Sequence, residues 1–245
     1  MQLHVGSLSD DEAFELSVAH ALLRRASAGE IDEALRIYRP PAPAVVFGRR
    51  DTLLPGFDAA NEAALELGFR TFVRATGGRA VAYTQNAVVV DHVKRELDSS
   101  FGTDDRFKRY GALIAEAFQR LGVDARVGAV PGEYCAGAYS VNARDVVKLV
   151  GTAQRSVRNA WLFSSLIVVD DSQRIRPALA AIYDHLGLPF DSESVGAIAE
   201  ERAGLTVHDV ERAVLTAYAA DLSSATEVEP ATLTLAHTLR PQHVV

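Results

Sequence analysis

Apolar residues recur every three or four positions in six segments of the chain, a spacing that predicts six amphipathic helices. The first follows Ser9–Glu12, in which serine and glutamate have the spacing of a capping box, and it ends at Gly29. Pro177 is suited to the start of the fourth. The five later helices are predicted over 58–67, 107–121, 177–186, 195–203 and 206–222.

Short apolar runs between these helices predict β-strands, because side chains on a strand alternate between two faces or, when both faces are buried, form continuous apolar runs. The 161–169 run is of the second kind and ends at Asp170. The pattern of 233–245 is ambiguous and is compatible with a final strand. The other strands are predicted over 35–37, 44–47, 69–74, 80–83 continuing to 88–90, 123–130 and 146–150.

The order of these elements predicts the fold class. Strands that occur in runs, rather than alternating strictly with helices, favour an α/β (α+β) fold with a mixed, largely antiparallel sheet flanked by helices. A dinucleotide-binding fold is disfavoured, and neither Gly-x-Gly-x-x-Gly nor a Walker loop is present. Since no linker forces a boundary, we expect one domain over 1–245, with a small helical part from about residue 187.

Composition and charge exclude several classes of function. With 48% hydrophobic and 23% charged residues in 245, the chain can bury a sizeable core. A net charge of −7 argues against binding to nucleic acid or to an anionic membrane, since both favour an excess of Lys and Arg. One cysteine excludes an intramolecular disulfide, and the acidic start lacks the features of a signal peptide. We expect a cytoplasmic protein.

Cys135 and Lys148 are the candidate reactive residues. Cys135, the single cysteine, is either a small buried hydrophobe, the commoner case, or a displayed thiol. The loop composition of 131–137, with two glycines, makes a displayed thiol less unusual but leaves the buried hydrophobe the stronger reading. Lys148 interrupts an apolar strand and faces either solvent or a pocket. A hairpin centred near Ala143 would set Lys148 opposite Tyr139 or Ser140, with Cys135 roughly 13 Å further along unless the loop folds back.

The segment Thr76-Gly77-Gly78-Arg79 interrupts a β pattern. Two readings remain open: a hairpin turn, or a place where the backbone approaches another group closely, which paired glycines allow because they lack a Cβ. None of the seven histidines has a metal-ligand spacing with another histidine or with the cysteine, and no Gly-x-Ser-x-Gly elbow is present.

Two motifs resemble a known family. Residues 73–81, Val-Arg-Ala-Thr-Gly-Gly-Arg-Ala-Val, are similar to the Arg-x-(Ser/Thr)-Gly-Gly-x-Ala-Val motif of the lipoate-protein ligase and octanoyltransferase superfamily. Residues 148–155, Lys-Leu-Val-Gly-Thr-Ala-Gln-Arg, resemble its second motif, and 44–48 resemble the strand and glycine before the first. The resemblance covers roughly residues 35–170 and implies the fold that this superfamily shares with biotin-protein ligases.

The resemblance also implies roles for residues. The lysine of the second motif, here Lys148, binds the carbonyl of the acyl group. Residues 131–139 resemble the cysteine segment of the octanoyl amidotransferase branch, which makes Cys135 the nucleophile, with Lys148 lowering its pKa and accepting a proton from the incoming amine. The residues implied to surround the acyl group are Arg74, Thr76, Gly77, Gly78, Arg79, Ala80, Tyr83, Gly151, Thr152 and Ala153.

An octanoyl or lipoyl transferase of this type needs no cofactor. Its partners would be lipoyl-domain proteins, namely the glycine-cleavage H protein and the E2 subunits of 2-oxoacid dehydrogenases; octanoyl transferases that use acyl carrier protein remain close alternatives. Another octanoyltransferase type has its cysteine near 159–163, where this chain has none. Tyr83, Ala136 and Ser140 depart from the patterns of the superfamily or this branch.

Two further functions stay open. An ATP-dependent lipoate ligase would use ATP and magnesium, would place Lys148 on an acyl-adenylate and would leave Cys135 without a role. A non-catalytic binder of acyl groups or of acylated carrier domains would be a degenerate relative, in which Tyr83 indicates that the activity has been lost.

Overall fold

Ten strands and seven α-helices form the fold of residues 1–245, all of which the computed structural model describes. The strands are β1 Gln2–Val5, β2 Glu33–Tyr38, β3 Ala44–Phe47, β4 Arg70–Val73, β5 Val81–Tyr83, β6 Ala87–Arg95, β7 Ala125–Val127, β8 Val141–Ala143, β9 Val147–Val157 and β10 Ala160–Val168. The helices are α1 Glu12–Ala28, α2 Phe57–Glu66, α3 Thr103–Arg120, α4 Ser172–His185, α5 Ile198–Glu201, α6 Val207–Ala217 and α7 Pro230–Leu239.

The strands form two sheets. The larger has the order β1-β2-β6-β10-β9-β8-β7, and only its β1–β2 pair is parallel. The smaller has the order β4-β3-β5, with β3 parallel to β4 and antiparallel to β5. The prediction of a mixed, largely antiparallel sheet flanked by helices is therefore confirmed.

The core lies in layers on both faces of the large sheet. On one face Val89 and Leu166 pack in the same cluster as Val46 and Val81 of the small sheet and Ile182 of α4. On the other face, α3 and α6 cover a second cluster that includes residues of β6 and β10. A third cluster joins α1 and α7 to the N-terminal end of β10. None of the helices combines the length and the apolar character that crossing a bilayer requires.

Three local predictions are wrong. Residues 233–245 contain no strand: Pro230 begins α7, and the chain then makes a 3-10 turn through His243. Pro177 lies inside α4, because only residues 169–171 separate β10 from the helix, which must therefore begin at Ser172. The side chain that caps α1 is Asp11, which accepts from the N–H of Ala13, whereas Ser9 accepts from the N–H of Asp11.

The paired glycines lie in the connection between β4 and β5. These two strands do not pair with each other, since each pairs with β3 from opposite sides. Residues 74–80 therefore form a crossing loop over the end of the small sheet, and the hairpin-turn reading is wrong. At Gly48, which follows β3, a Cβ would overlap the carbonyl oxygen of Gly78. The backbones are in close contact there, as the alternative reading proposed.

Candidate active site

The loop between β7 and β8 holds Cys135 at its centre in a strained backbone conformation. Its φ of 45° lies in the left-handed region, which non-glycine residues rarely adopt. Contacts on both sides hold it there: the Cys135 N–H donates to the hydroxyl of Tyr183 at 2.6 Å, and its carbonyl accepts from Lys148 Nζ at 3.1 Å. Tyr183 Oη in turn donates to the carbonyl of Ala80. Tyr183 therefore connects residues 128–140, here called the cysteine loop, to residues 74–80, here called the glycine loop.

The thiol of Cys135 faces the glycine loop. Its Sγ accepts from the main-chain N–H of Arg79 at 3.1 Å and from Arg74 Nη2 at 3.5 Å. Burial alone would raise the pKa of Cys135, but the charges of Arg74 and Lys148 and the Arg79 N–H outweigh it, so the net effect lowers the pKa. A thiol in such surroundings ionises more readily, and the thiolate is the nucleophilic form.

Gly78 makes this contact possible. Its φ is 101°, and a Cβ built there would lie 2.6 Å from Cys135 Sγ and 2.5 Å from Arg74 Nη2. Arg74 Nη2 also donates to the carbonyl of Arg79 at 2.7 Å, which fixes the guanidinium beside the sulfur. Only glycine permits the sulfur to approach the loop this closely.

Lys148 is 1% exposed, so it faces the interior rather than solvent. Three oxygens surround its Nζ: Tyr134 O at 2.9 Å, Cys135 O at 3.1 Å and Glu133 Oε2 at 3.0 Å. The two carbonyls accept hydrogen bonds from Nζ, and Glu133 forms an ion pair with it. The Tyr134 ring centroid lies 4.6 Å from Nζ and adds a favourable contact with the cation.

The strand register expected for Lys148 is wrong. The hairpin turns at Arg144 and Asp145, both with positive φ, so that Lys148 lies opposite Asn142 rather than Tyr139 or Ser140. The loop does fold back over Lys148, as the sequence allowed. The lysine meets main-chain carbonyls of that loop, while the side chain that contacts the thiol is Arg74.

Two cavities meet at the strand that carries the second motif. The wider cavity, about 420 Å³, opens beside Cys135 and is bounded by the glycine loop, the cysteine loop, β9 and the start of α3. The narrow cavity, about 60 Å³, lies between the two sheets. Ala153 borders both. Acyl chains of medium length require such a recess beside the reactive sulfur.

The residues that the motifs singled out lie around these cavities. Gly77, Gly78 and Thr152 border the wider one, and Arg74, Thr76, Tyr83 and Gly151 border the narrow one. Arg79 contributes its main-chain N–H to the thiol and its side chain to an ion pair with Asp51 at 3.0 Å. Ala80 contributes the carbonyl that holds Tyr183.

Three positioning residues were missed by sequence reasoning. Glu133 is the buried partner of Lys148, and its adjacency to Cys135 was the available signal. Asp51 accepts from the N–H of Gly48 and pairs with Arg79, and these two contacts connect the glycine loop to the residues that follow β3. Tyr183 lies on α4, 48 residues beyond the cysteine it supports, and nothing local in the sequence points to it.

The two packed sheets that position this thiol and its two cationic neighbours are the fold of solved lipoate-protein ligases. A family model described as the lipoyl protein ligase A/B catalytic domain matches residues 11–219. The chain belongs to this family, and the resemblance of its two motifs is confirmed.

The chain is similar to curated proteins named octanoyl-[GcvH]:protein N-octanoyltransferase. The relative from Geobacillus kaustophilus is 27% identical over 186 residues, which cover 76% of this chain and 65% of the relative. The one from Exiguobacterium sp. is 32% identical over 114 residues, covering 46% of this chain and 40% of the relative. The chain thus spans less than two thirds of the length of these relatives.

Solved structures of lipoate-protein ligases share the fold. A lipoate-protein ligase A bound with ATP superposes with a TM-score of 0.76 at 17% identity, covering 99% of this chain and 95% of that one. A putative lipoate protein ligase from T. acidophilum with bound lipoic acid gives 0.72 at 17% identity, covering 98% and 95%. At this identity the likeness concerns the fold alone.

Proposed function

We propose that this protein is an acyltransferase that moves an octanoyl or lipoyl group through a thioester on Cys135 to a lysine of a lipoyl domain. The observation that carries the proposal is the contact of Cys135 Sγ with the Arg79 N–H and the Arg74 guanidinium at the mouth of a cavity. The names of the similar curated proteins support the same reaction.

In the first half of the reaction the Cys135 thiolate attacks the acyl carbonyl of the donor. A new S–C bond forms, and the bond from the carbonyl carbon to the donor breaks. A thioester donor leaves as a thiolate; an amide donor leaves as an amine after its nitrogen takes a proton. The covalent intermediate splits one difficult transfer into two easier ones.

In the second half a lysine amine of the acceptor attacks the Cys135 thioester. The N–C bond forms, the S–C bond breaks, and the proton that the amine loses balances the thiolate that leaves. Thioester to amide runs downhill, so the whole transfer is driven when the donor is a thioester. When the donor is an amide, the first half runs uphill by a similar amount and the whole transfer is close to balanced. The Arg79 N–H, already within reach of the sulfur, is placed to donate to the oxyanion that forms on the adjacent carbon.

Lys148 acts here as a fixed cation rather than as a proton acceptor. It donates to two loop carbonyls and forms an ion pair with Glu133, contacts that favour the ammonium form, which has no lone pair to offer. Its charge supports the thiolate, and an acyl carbonyl oxygen that replaces one of the loop carbonyls would bind in the manner the family resemblance implies. Lys148 also stabilises the strained loop that presents Cys135.

The proposed partners are the lipoyl-domain proteins that such a transferase serves. GcvH, the glycine-cleavage H protein, appears in the names of the similar curated proteins and is the first donor or acceptor to test. The E2 subunits of 2-oxoacid dehydrogenases are further acceptors, and acyl carrier protein is a rival donor. The cytoplasm is the compartment in which these partners and a free thiol would coexist.

The test is intact-protein mass spectrometry after incubation with an octanoyl thioester. We expect one octanoyl adduct on wild-type protein, mapped to Cys135, and none on Cys135→Ser. The adduct should disappear when a lipoyl domain with its acceptor lysine is added. A wild-type protein that octanoylates the domain without ever carrying an adduct would overturn the acyl-enzyme.

The ATP-dependent ligase is the alternative that the fold favours, because solved ligases share it. It predicts that Cys135→Ser modifies the lipoyl domain as fast as wild type when lipoate, ATP and magnesium are supplied. The non-catalytic binder predicts tight octanoate binding with no transfer under either condition. Wild-type protein and Cys135→Ser, assayed side by side under both conditions, therefore separate all three functions.

A further inference from the structure

Three arginines lie beside the glycine loop and come from three separate elements. Arg24 is on α1, Arg49 follows β3, and Arg155 is near the end of β9. Arg24 and Arg49 are exposed, and Arg155 is half-buried. None of the three forms a salt bridge, whereas Arg25 and Arg79 nearby both pair with carboxylates. We call Arg24, Arg49 and Arg155 the arginine cluster.

Packing at the end of the small sheet brings Arg24 and Arg49 to the same place. His243 contacts the carbonyl of Val73, the last residue of β4, and β4 pairs with β3, which Arg49 follows. His20 of α1 contacts the other side of the His243 ring at 3.3 Å. Arg24 lies one turn beyond His20, on the same face of the helix.

Arg155 reaches this place from the large sheet. It lies opposite Leu162 of β10, which packs in the cluster that α1 covers. Arg155 Nη1 donates to the carbonyl of Ala75 at 3.0 Å. Ala75 is the residue after Arg74, whose guanidinium contacts Cys135 Sγ. The arginine cluster and the thiol therefore both adjoin the glycine loop.

The positive charge of the arginine cluster has no compensation within the chain. Burial, and then the charges of Arg49 and Arg24, lower the pKa of Arg155. Asp51, the carboxylate closest to Arg49 along the chain, is buried and paired with Arg79. The two histidines that connect α1 to β4 are neutral at pH 7, because burial lowers their pKa to about 3 and about 4. Like charges held together repel one another, and an anionic partner would relieve that repulsion.

The position of the arginine cluster indicates a protein partner rather than a small anion. Two of its three side chains are exposed on the surface. The tip of the glycine loop, Gly77 and Gly78, is also exposed, and it borders the wider cavity beside Cys135. A protein domain that inserts a lysine side chain into this cavity is much larger than the cavity, and stable interfaces cover about 800 Å² on each partner. Such a domain has to contact the surface around the glycine loop.

We propose that the arginine cluster is the docking surface for an acidic patch of the lipoyl domain, next to the lysine that receives the acyl group. The proposal rests on the proposed transfer through Cys135 and names the chemistry that recognises its protein partner. Carboxylates of the domain pair with Arg24 and Arg49, while Arg155 adds its charge and stays bound to the glycine loop. Charges at the edge of an interface speed association and fix the orientation of the partner.

The test is transfer of the octanoyl group from Cys135, acylated beforehand with a small thioester, to GcvH at several GcvH concentrations. The variant Arg24→Glu/Arg49→Glu reverses the two exposed charges and keeps the bond from Arg155 to Ala75. We expect the GcvH concentration at half-maximal rate to rise about tenfold or more, with the maximal rate unchanged. Added salt should raise this concentration for wild type and leave it nearly constant for the variant, because salt screens exposed charges.

Arg120→Glu/Arg202→Glu is the matched control, with the same change in net charge. Both arginines are exposed near the C-terminal end of α3, which covers the opposite face of the large sheet. The control should keep the half-saturating GcvH concentration of wild type. Equal half-saturating concentrations in the two double variants overturn the docking surface.

Two further measurements locate the effect. Octanoyl-N-acetylcysteamine has no protein part, so it should acylate Cys135 equally fast in wild type and in both double variants. Slower acylation in Arg24→Glu/Arg49→Glu alone would show that these arginines act on the thiol, and would overturn docking as their role. GcvH whose carboxylates nearest the acceptor lysine are replaced by amides should bind wild type more weakly and Arg24→Glu/Arg49→Glu no more weakly. Equal loss in both would overturn the pairing of charges.

Failure of the proposed function gives a different result. If no adduct forms on Cys135, the acyl-enzyme is wrong, and the docking surface is then tested by the affinity of GcvH for the three proteins. Affinity about tenfold lower in Arg24→Glu/Arg49→Glu than in the control sustains the docking surface, and equal affinity overturns it. Weaker binding of ATP by Arg24→Glu/Arg49→Glu, with GcvH bound as tightly as by wild type, would assign the arginine cluster to nucleotide phosphates and overturn it as well.

Discussion

The thiol of Cys135 has two cationic neighbours that reach it in different ways. Arg74 touches the sulfur with Nη2, whereas Lys148 binds the main-chain carbonyl of the same residue. Coulomb interaction with both lowers the pKa of Cys135 against the opposing effect of burial, and that of Arg74 is the larger of the two. Lys148 also holds the loop, so only a change at Arg74 tests the electrostatic effect separately from loop position.

We predict that Arg74→Gln raises the pKa of Cys135 and slows its acylation at pH 7 about tenfold or more, because less of the thiol is ionised. Glutamine retains an N–H for the carbonyl of Arg79, so the glycine loop should keep its shape. The measurement is the rate of Cys135 alkylation by iodoacetamide against pH, whose midpoint should move to higher pH than in wild type.

Arg70→Gln is the matched control. Arg70 lies on the same strand, β4, and its side chain is exposed and pairs with Asp11 at 3.8 Å rather than with the site. Its alkylation profile should coincide with that of wild type. If the alkylation profile of Arg74→Gln coincides with the profiles of wild type and Arg70→Gln, the guanidinium of Arg74 does not govern ionisation of the thiol.

At the scale of elements, the site is a contact between two loops from different sheets. The glycine loop crosses the end of the small sheet, and the cysteine loop leaves the edge of the large one. Gly48 and Gly78 let the backbones meet, and Tyr183 bridges the two loops from α4. Reactivity of the thiol thus depends on how the sheets pack together as well as on the residues beside the sulfur.

We predict that Gly78→Ala slows acylation of Cys135 at least about tenfold while the protein stays folded. The new methyl group would overlap the positions of Cys135 Sγ and Arg74 Nη2, and alanine also disfavours the φ of 101°. The sulfur must then retreat from the Arg79 N–H. The measurement is the acylation rate with an octanoyl thioester, alongside the unfolding midpoint in urea.

Gly204→Ala separates backbone strain from contact with the site. Gly204 also has a positive φ, of 87°, but a Cβ there meets nothing within 4 Å. Both variants should lose stability of order 1 kcal/mol, and only Gly78→Ala should lose reactivity. Equal acylation rates in the two variants would contradict a close approach of sulfur to the glycine loop.

Most of the helices and strands and both motifs could be predicted from the sequence, because each of them is a local pattern. Helical spacing located α1, α3 and α6, and the two motifs located the glycine loop and Lys148. The pattern of 233–245 was ambiguous and only compatible with a strand, since the run of Leu and Ala residues in α7 has weak periodicity. Tyr183 could not be found, because its role arises only when α4 is packed against the site. Arg74 was assigned to the acyl group and not to the thiol for the same reason.

At the scale of the whole molecule, two buried groups of titratable residues respond to pH in opposite directions. Burial raises the pKa of Glu12 to about 7 in the folded state, from an ordinary value of 4.5. Its contribution to stability is complete below pH 4.5 and is lost as pH rises through 7, because the folded state then has to ionise a buried carboxyl. The loss amounts to about 3 kcal/mol.

The second group is a pair of buried histidines that fastens the C-terminal segment to α1 and β4. His243 Nδ1 donates to the carbonyl of Val73 at 2.8 Å, so His243 Nε2 accepts from His20 Nδ1 at 3.3 Å. His20 Nε2 is then buried without a partner. Burial, then the neighbouring His243 ring and the charge of Arg155, lower the pKa of His20 to about 3. Burial, aided by the charges of Arg49 and Arg155 and opposed by the hydrogen bond to Val73, lowers the pKa of His243 to about 4.

The histidines oppose Glu12 between pH 4.5 and 6.5. Their stabilising contribution is present above pH 6.5 and is lost as pH falls towards 4, because the folded state must then protonate buried rings that the unfolded chain protonates freely. In that interval the unfolded state binds two extra protons on the histidines, and the folded state binds one extra on Glu12. The net effect of Glu12, His20 and His243 is that stability rises with pH across this interval. The opposite effect of Glu12 therefore does not show as a fall in stability in the wild-type profile.

We therefore predict that Glu12→Gln and His243→Gln depart from wild type in opposite directions. Glutamine mimics the neutral carboxyl, so Glu12→Gln should match wild type at pH 4.5 and be about 3 kcal/mol more stable at pH 7.5. His243→Gln should be destabilised most at pH 7.5 and approach wild type as pH falls towards 4, because wild type alone then loses the stability that the lowered pKa of His243 contributes. Urea unfolding at pH 4.5, 5.5, 6.5 and 7.5 measures both differences. A Glu12→Gln curve that runs parallel to wild type would show that burial does not raise the pKa of Glu12 in the folded protein.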